Sequence, residues 1–248
     1  MKQDTCGFII PTDLFLATGD TAGLPIHASY DPSLDRTARV LERYGYRTQR
    51  RIYGDLPFGL GFASSTVLAA LHLSPVSSID DVRLAIQKCD REVHGFEPSG
   101  MDFSAISSQT SGFYSRGNWR HFQLSSFFPY SIVTPPPERL SPLSEIELII
   151  SRSDKYLIAI ANKMTSGILS TGSLDYDAIL DYSKELSDLS IYSRAAKSFI
   201  DNLLENDVAA KAIGGLYDKA IIVIWKSKDV AFLKRHLLEG ANVFSNVY

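Results

Sequence analysis

Leu56-Pro-Phe-Gly-Leu-Gly-Phe-Ala-Ser-Ser-Thr66 is a glycine- and serine-rich turn that runs directly into the apolar stretch Ser64 to Leu73. Gly59 and Gly61 let backbone N–H groups approach phosphate oxygens, and Ser64 and Ser65 are residue types that open a helix whose dipole favours an anion. Ahead of the turn, Tyr46 to Asp55 alternates Tyr and Arg in the manner of an edge or half-buried strand. Strand, glycine loop and helix in that order make a phosphate cradle, although Gly-x-Gly before a helix also serves as a purely structural turn. A Walker A loop would end in Gly-Lys-Ser/Thr, and no lysine is present here.

Downstream, Ile79, Val82, Ile86, Cys89 and Val93 share one face of a helix predicted over Ile79 to Val93, with Ser78 as its cap. Its end delivers Asp90, Glu92 and His94 into a turn-rich loop, Gly95-Phe-Glu-Pro-Ser-Gly-Met-Asp102. Carboxylates so placed can hold Mg²⁺ and accept a hydroxyl proton; they are equally the charges of a solvated helix end. Upstream, Gly7 to Ala17 reads as two short strands broken at Pro11-Thr-Asp13, and Pro32 to Tyr44 as a helix. Strand-like pieces follow around Gly112 to Tyr114 and Trp119 to Leu124.

Thr134-Pro-Pro-Pro137 is the stiffest irregular stretch, and the expected domain boundary lies there, giving domains 1–134 and 138–248. The second domain is expected to be mainly helical, with helices at Leu143 to Ser151, Asp154 to Leu169, Asp175 to Leu189 and Ser193 to Glu205. Strands are expected at Ala209 to Gly215 and Ala220 to Trp225, and a last helix at Asp229 to Glu239. The fold class is α+β.

With 248 residues, 45% hydrophobic, the chain can bury a sizeable core. A net charge of -3 argues against nucleic acid or an anionic membrane as partner, so any phosphate binding must be local. Cys6 and Cys89 are too few for a disulfide framework and lack zinc spacing, and the N-terminus lacks a signal-peptide pattern; a cytoplasmic protein is expected. The strongest apolar run, Ala220 to Trp225, is far short of the roughly 20 residues that span a bilayer. His27, His72, His121 and His236 have no partner visible in the sequence and are read as structural. Oligomeric state has no sequence handle, and a homodimer is left open.

Together the two site stretches resemble the GHMP kinases, the superfamily of galactokinase, homoserine kinase, mevalonate kinase and phosphomevalonate kinase. Pro57-Phe-Gly-Leu-Gly-Phe-Ala-Ser-Ser-Thr66 is similar to the family phosphate loop, Pro-x-Gly-x-Gly-Leu-Gly-Ser-Ser-Ala. His94-Gly-Phe-Glu-Pro-Ser-Gly-Met-Asp102 resembles the mevalonate kinase form His-Gly-x-Pro-Ser-Gly-Val-Asp with one residue added. Lys211 to Ile224 resembles the third family motif with most of its glycines replaced by Leu216, Tyr217 and Asp218. Pro11 to Ala17 looks like the first motif, with Asp13 in the lysine position. About forty residues that mevalonate kinases usually carry between the first motif and the loop are missing.

The resemblance implies a two-domain fold, a ribosomal protein S5 domain 2-like N-terminal domain followed by a ferredoxin-like C-terminal one. It implies ATP and Mg²⁺ as cofactors, the nucleotide lying on Pro57, Gly59, Gly61, Ala63, Ser64, Ser65 and Thr66. Ser65 and Asp90 match the metal ligands, Glu92 being the alternative to Asp90. Asp102 matches the catalytic aspartate, as base or orienter, and His94, Ser99 and Gly100 fall at substrate positions. Either Arg51, Lys163 or Lys197 stands in for the missing lysine or the rate relies on Mg²⁺ and Asp102, and Arg116 or Arg120 could hold an additional phosphate. The implied reaction is ATP-dependent phosphorylation of a hydroxyl of mevalonate or a phosphorylated mevalonate in isoprenoid biosynthesis, with the 5-hydroxyl of mevalonate 3-phosphate a specific candidate. The alternatives are a non-catalytic nucleotide- or metabolite-binding relative, or a kinase for homoserine, shikimate, pantoate or a sugar.

Overall fold

A computed structural model describes residues 6–9, 16–17, 30–31, 35–48, 51–56, 58, 63–73, 78–95, 98, 100–108, 110–115, 118–121, 128–134, 159, 162–171, 174–189, 192–213, 220–226 and 242–246. The chain divides into two compact units, Met1–His121 and Phe122–Tyr248.

In the first unit, β1 (Cys6–Ile9), β4 (Gly112–Ser115) and β5 (Asn118–His121) form an antiparallel sheet in the order β1-β4-β5. A separate antiparallel pair joins β2 (Leu16–Ala17) to β3 (Tyr53–Gly54). The helices are α1 (Arg36–Arg43), α2 (Ser64–Leu73), α3 (Ile79–His94) and α4 (Met101–Ser108). Caps fix where they start. Asp35 accepts from the Ala38 amide at the head of α1, and Ser78 accepts from the Asp81 amide at the head of α3. Gly95, at φ 79, ends α3 by donating to the Arg91 carbonyl.

Three of these helices close on one core of Val40, Leu41, Ala69, Leu73, Ala85, Ile86 and Cys89. Burying each Leu or Ile side chain there contributes about 1.5–3 kcal/mol, so the mutual position of α2 and α3 is set by packing. That geometry decides which residues of α3 meet the start of α2.

The second unit holds one antiparallel sheet in the order β7-β8-β6-β9, from β6 (Tyr130–Thr134), β7 (Ala209–Ala212), β8 (Ile221–Ile224) and β9 (Asn242–Asn246). With it are α5 (162–171), α6 (Tyr176–Asp188) and α7 (Arg194–Glu205), the last two capped by Asp175 and Ser193. Ile132, Val133, Ile200, Leu203, Ile221 and Val223 are its buried centre.

Several sequence expectations differ from this picture. The units part between His121 and Phe122, ahead of the proline run, because β6 pairs with β8 and β9 and so belongs to the second sheet. Neither β6 nor β9 is among the expected strands, whereas β7 and β8 fall within those expected at Ala209 to Gly215 and Ala220 to Trp225. The strand read over Tyr46 to Asp55 shrinks to Tyr53–Gly54, and α1 begins at Arg36, after its Asp35 cap. The helices expected at Leu143 to Ser151 and Asp229 to Glu239, and the Pro11-Thr-Asp13 break, lie outside the described residues.

Candidate functional site

The helix α2 starts at Ser64. Ala63 sits at φ 55, the left-handed region that a glycine would adopt without strain. Its carbonyl accepts the first intrahelical bond, from the Val67 amide at 2.9 Å. The amides of Ser64, Ser65 and Thr66 therefore lie in the first turn, where no helical carbonyl precedes them and the dipole is positive. Ser64 and Ser65 are half-buried, and Thr66 is buried. Leu56 is buried, and half-buried Phe58 packs on Tyr30. Pro57, Gly59 and Gly61 lie outside the described residues.

Asp90 comes to this turn from α3. It is 7% exposed, and its Oδ2 accepts from the Thr66 hydroxyl at 2.9 Å. Glu92, two residues on, faces another way. Its carboxylate takes the Arg43 guanidinium at 2.5 Å and the Tyr44 hydroxyl, and its carbonyl accepts from Arg36 at 3.1 Å. Asp90 thus points to α2, and Glu92 to the end of α1.

Asp102 stands on α4, which packs against α2 and β4. The sequence suggested a loop through Asp102, yet the turn ends at Gly100 and a helix starts at Met101, so Asp102 is an exposed first-turn residue. Gly100 adopts φ 79, and its carbonyl accepts from both the amide and the hydroxyl of Ser104. A Cβ there would lie 3.3 Å from the Tyr114 hydroxyl and 3.9 Å from the Gln87 amide, so side chains of β4 and α3 bracket the head of α4. Ser64 to Thr66, Asp90, Gly100 and Asp102 accordingly belong to neighbouring elements of one unit. His94 closes α3; its side chain, Ser99, Arg116, Asp13 and residues 214–219 of the third motif lie outside the described residues.

The lysines considered as replacements for the first-motif cation are engaged elsewhere. Lys163 is 4.0 Å from Asp181, and Lys197 binds Asp201 at 2.9 Å and Ser187 at 3.1 Å. Arg51 and Arg120 are exposed.

One feature of the site region was missed in the sequence. His72 Nε2 lies 3.0 Å from Asp35 Oδ2, with both side chains buried. Asp35 was identifiable only by its cap position, and nothing in a linear pattern joins it to a histidine in the last turn of α2. Burial alone would raise the Asp35 pKa; the His72 and Ala38 hydrogen bonds, the His72 charge and the Tyr30 hydroxyl outweigh it and hold the carboxyl below 3.8. The Cys89 thiol is pushed up to about 12, by burial first and then by the charges of Asp90, Asp35 and Glu92. It is a buried, unreactive thiol.

Among the described residues no group of three or more His, Cys, Asp or Glu side chains could hold a metal ion. Mg²⁺ does not require one: it typically takes one or two protein oxygens, the rest being water and substrate phosphate. The oxygens at the head of α2, a buried carboxylate bonded by the Thr66 hydroxyl with Ser64 and Ser65 in the same turn, are the hard donors that suit it. The residues fit Mg-nucleotide.

No family model matches the sequence, and no curated protein does. Solved structures do. The mevalonate kinase of Methanococcus jannaschii aligns with a TM-score of 0.65 at 13% identity, over 86% of this chain and 73% of that one. The phosphomevalonate kinase of Streptococcus pneumoniae aligns with a TM-score of 0.63 at 14% identity, over 98% and 92%. The Leishmania major mevalonate kinase, solved with R-mevalonate, gives 0.61 at 15% identity, over 98% and 86%. The fold is that of the GHMP kinases, α+β as expected. No helix among the described residues is long and apolar enough to cross a membrane.

Proposed function

We propose that the chain is an ATP-dependent kinase for a small hydroxyl acceptor, mevalonate or a phosphorylated mevalonate, acting in isoprenoid biosynthesis in the cytoplasm. The observation that carries this reading is the buried Thr66–Asp90 contact, which seats a carboxylate at the helix start just behind a glycine-serine loop. The fold supports it: neighbours include a structure with R-mevalonate and a phosphomevalonate kinase complex with phosphomevalonate and AMPPNP.

In this reading the loop amides and the first turn of α2 hold the nucleotide phosphates, with Pro57, Gly59, Gly61, Ala63 and Ser64 shaping the cradle. Ser65 and Asp90 hold Mg²⁺, and Thr66 fixes the Asp90 carboxylate. Bound Mg-ATP supplies the phosphoryl group and neutralises its charge. Asp102 orients the acceptor hydroxyl and takes its proton on a carboxylate oxygen, while His94, Ser99 and Gly100 position the acceptor. Such catalysis is mainly positioning and electrostatics.

The test is ADP release from Mg-ATP with mevalonate, mevalonate 3-phosphate, mevalonate 5-phosphate, homoserine, shikimate, pantoate and sugars as acceptors, for the wild type and Asp102→Asn. Turnover with a mevalonate-type acceptor, lowered roughly 10²–10⁴-fold in the variant, is the expected result. Asp13 in the lysine position favours a second reading, a non-catalytic nucleotide- or metabolite-binding protein. Nucleotide binding without acceptor-dependent ADP would establish that one instead.

A further inference from the structure

A cradle built from backbone amides works only if the backbone is held in place. Phe58 supplies the handle, since its ring packs on Tyr30 with centroids 5.9 Å apart and planes at 50°. The Tyr30 hydroxyl donates to Asp35 Oδ2 at 3.0 Å, and His72 Nε2 lies 3.0 Å from the same oxygen. Asp35 Oδ1 accepts from the Ala38 amide at 2.9 Å. The side chains of His72 and Asp35 are 0% and 2% exposed.

Capping α1 requires only the Oδ1 contact. The second carboxylate oxygen takes donors from two other elements, one leading to the loop that enters α2 and one coming from the last turn of α2 itself. The chain of contacts therefore closes a circuit: loop ring, phenol, carboxylate, imidazole, and back through α2 to the loop. A buried carboxylate satisfied by several donors is rigid, and removing one donor is felt by the others.

We infer that Tyr30, Asp35 and His72 form a buried latch that fixes Phe58, within the sequence of the glycine loop, relative to α2 and so favours nucleotide binding there. The inference rests on the kinase reading of that loop. The three are positioning residues, for none is assigned a contact with the nucleotide. Loosening the latch lowers the fraction of chains whose loop is ready to bind, and the apparent dissociation constant rises by that fraction. Once the nucleotide is bound the complex is the same, so turnover at saturation is unaffected. A hydrogen bond to a charged group is worth roughly a tenfold change in such an equilibrium.

The experiment compares the wild type with Tyr30→Phe, His72→Gln, which keeps a donor near the Nε2 position, and His72→Ala. It reads Mg-AMPPNP affinity by calorimetry, hydrogen exchange over Leu56 to Ala63, and KM against kcat for ATP. Tyr30→Phe is expected to weaken nucleotide affinity and raise KM roughly tenfold, to leave kcat in place, and to speed exchange in the loop while α1 and α3 keep their protection. His72→Gln is expected to restore most of what His72→Ala loses. Unchanged loop exchange in Tyr30→Phe, equal loosening of α1 and α3, or a fall in kcat at constant KM would each overturn the latch. A wild type that binds no Mg-AMPPNP, yet whose loop loosens in Tyr30→Phe, removes the kinase reading and leaves the latch on the loop standing.

Discussion

Replacing Thr66 by valine keeps the shape of the side chain and removes its hydroxyl. In the folded protein that hydroxyl donates to Asp90 Oδ2 at 2.9 Å, Thr66 is 1% exposed and Asp90 7%, so water has little access to replace the bond. Loss of a donor to a buried charged group costs about 2 kcal/mol. For a chain of this length that lowers the thermal midpoint by about 4–8 °C. Thr66→Ser keeps the donor and loses a methyl group, a cost of about 1 kcal/mol, so its midpoint falls between the other two. Melting followed by circular dichroism orders the three proteins. A double-mutant cycle with Asp90→Asn isolates the pair, and a coupling of at least about 0.5 kcal/mol is expected for groups in contact. On the proposed metal role of Asp90, the same valine variant is also expected to raise the Mg²⁺ concentration needed for half-maximal nucleotide binding, roughly tenfold, because the partner that orients that carboxylate is gone. A Thr66→Val protein as stable as the wild type, or more stable than Thr66→Ser, would refute the reasoning.

Glu92→Gln breaks an ion pair whose side chains are 67% and 33% exposed, so melting should register less than about 1 kcal/mol, and on the proposed metal role of Asp90 Mg²⁺-dependent nucleotide binding should persist; its loss would move that proposed role to Glu92. In a Cys6→Ser background, Cys89 should react with an aromatic disulfide at alkaline pH only as fast as the protein unfolds, which a comparison of labelling and unfolding rates checks. The Asp35 carboxyl titrates below its unfolded value, so its stabilisation is complete above that value and is lost as pH falls through the folded one. Urea midpoints of the wild type should drop between about pH 5 and pH 3 more steeply than those of Asp35→Asn.

Local signals carried the site further than they carried the second unit. A glycine turn, two serines and an apolar run determine α2 by residue chemistry alone, and Ser78, Asp175 and Ser193 mark helix starts because each can bond an amide two or three residues on. The burial of Asp90 and the outward engagement of Glu92 depend on how α3 packs on α1 and α2, and that geometry is absent from a linear pattern. Pro98 and Gly100 made the segment before Asp102 look like turn throughout. The left-handed Gly100 instead ends the turn and lets Met101 begin a helix. The Asp35–His72 pair spans 37 residues with no periodic relation. Strands β6 and β9 are short, one beside a proline run and one with an asparagine at each end, and their pairing, β6 with β8 and β9, is what identifies them.

That pairing has a consequence for biosynthesis. β6 lies inside its sheet, yet its partner Ile221 leaves the ribosome long after Val133, and Asn242 follows Thr134 by some hundred residues, roughly 5–20 s of translation. Until Ile221 to Ile224 have been made, Tyr130, Ile132 and Val133, all buried in the finished protein, travel on a strand with both edges open, and until Asn242 to Asn246 follow one edge stays open. Among the described residues, by contrast, the strands of the first unit pair only with one another and are complete once His121 has been made. The nascent chain therefore carries the first unit trailing an adhesive strand, and a ribosome that stalls before Ile221 releases a species prone to aggregate through β6.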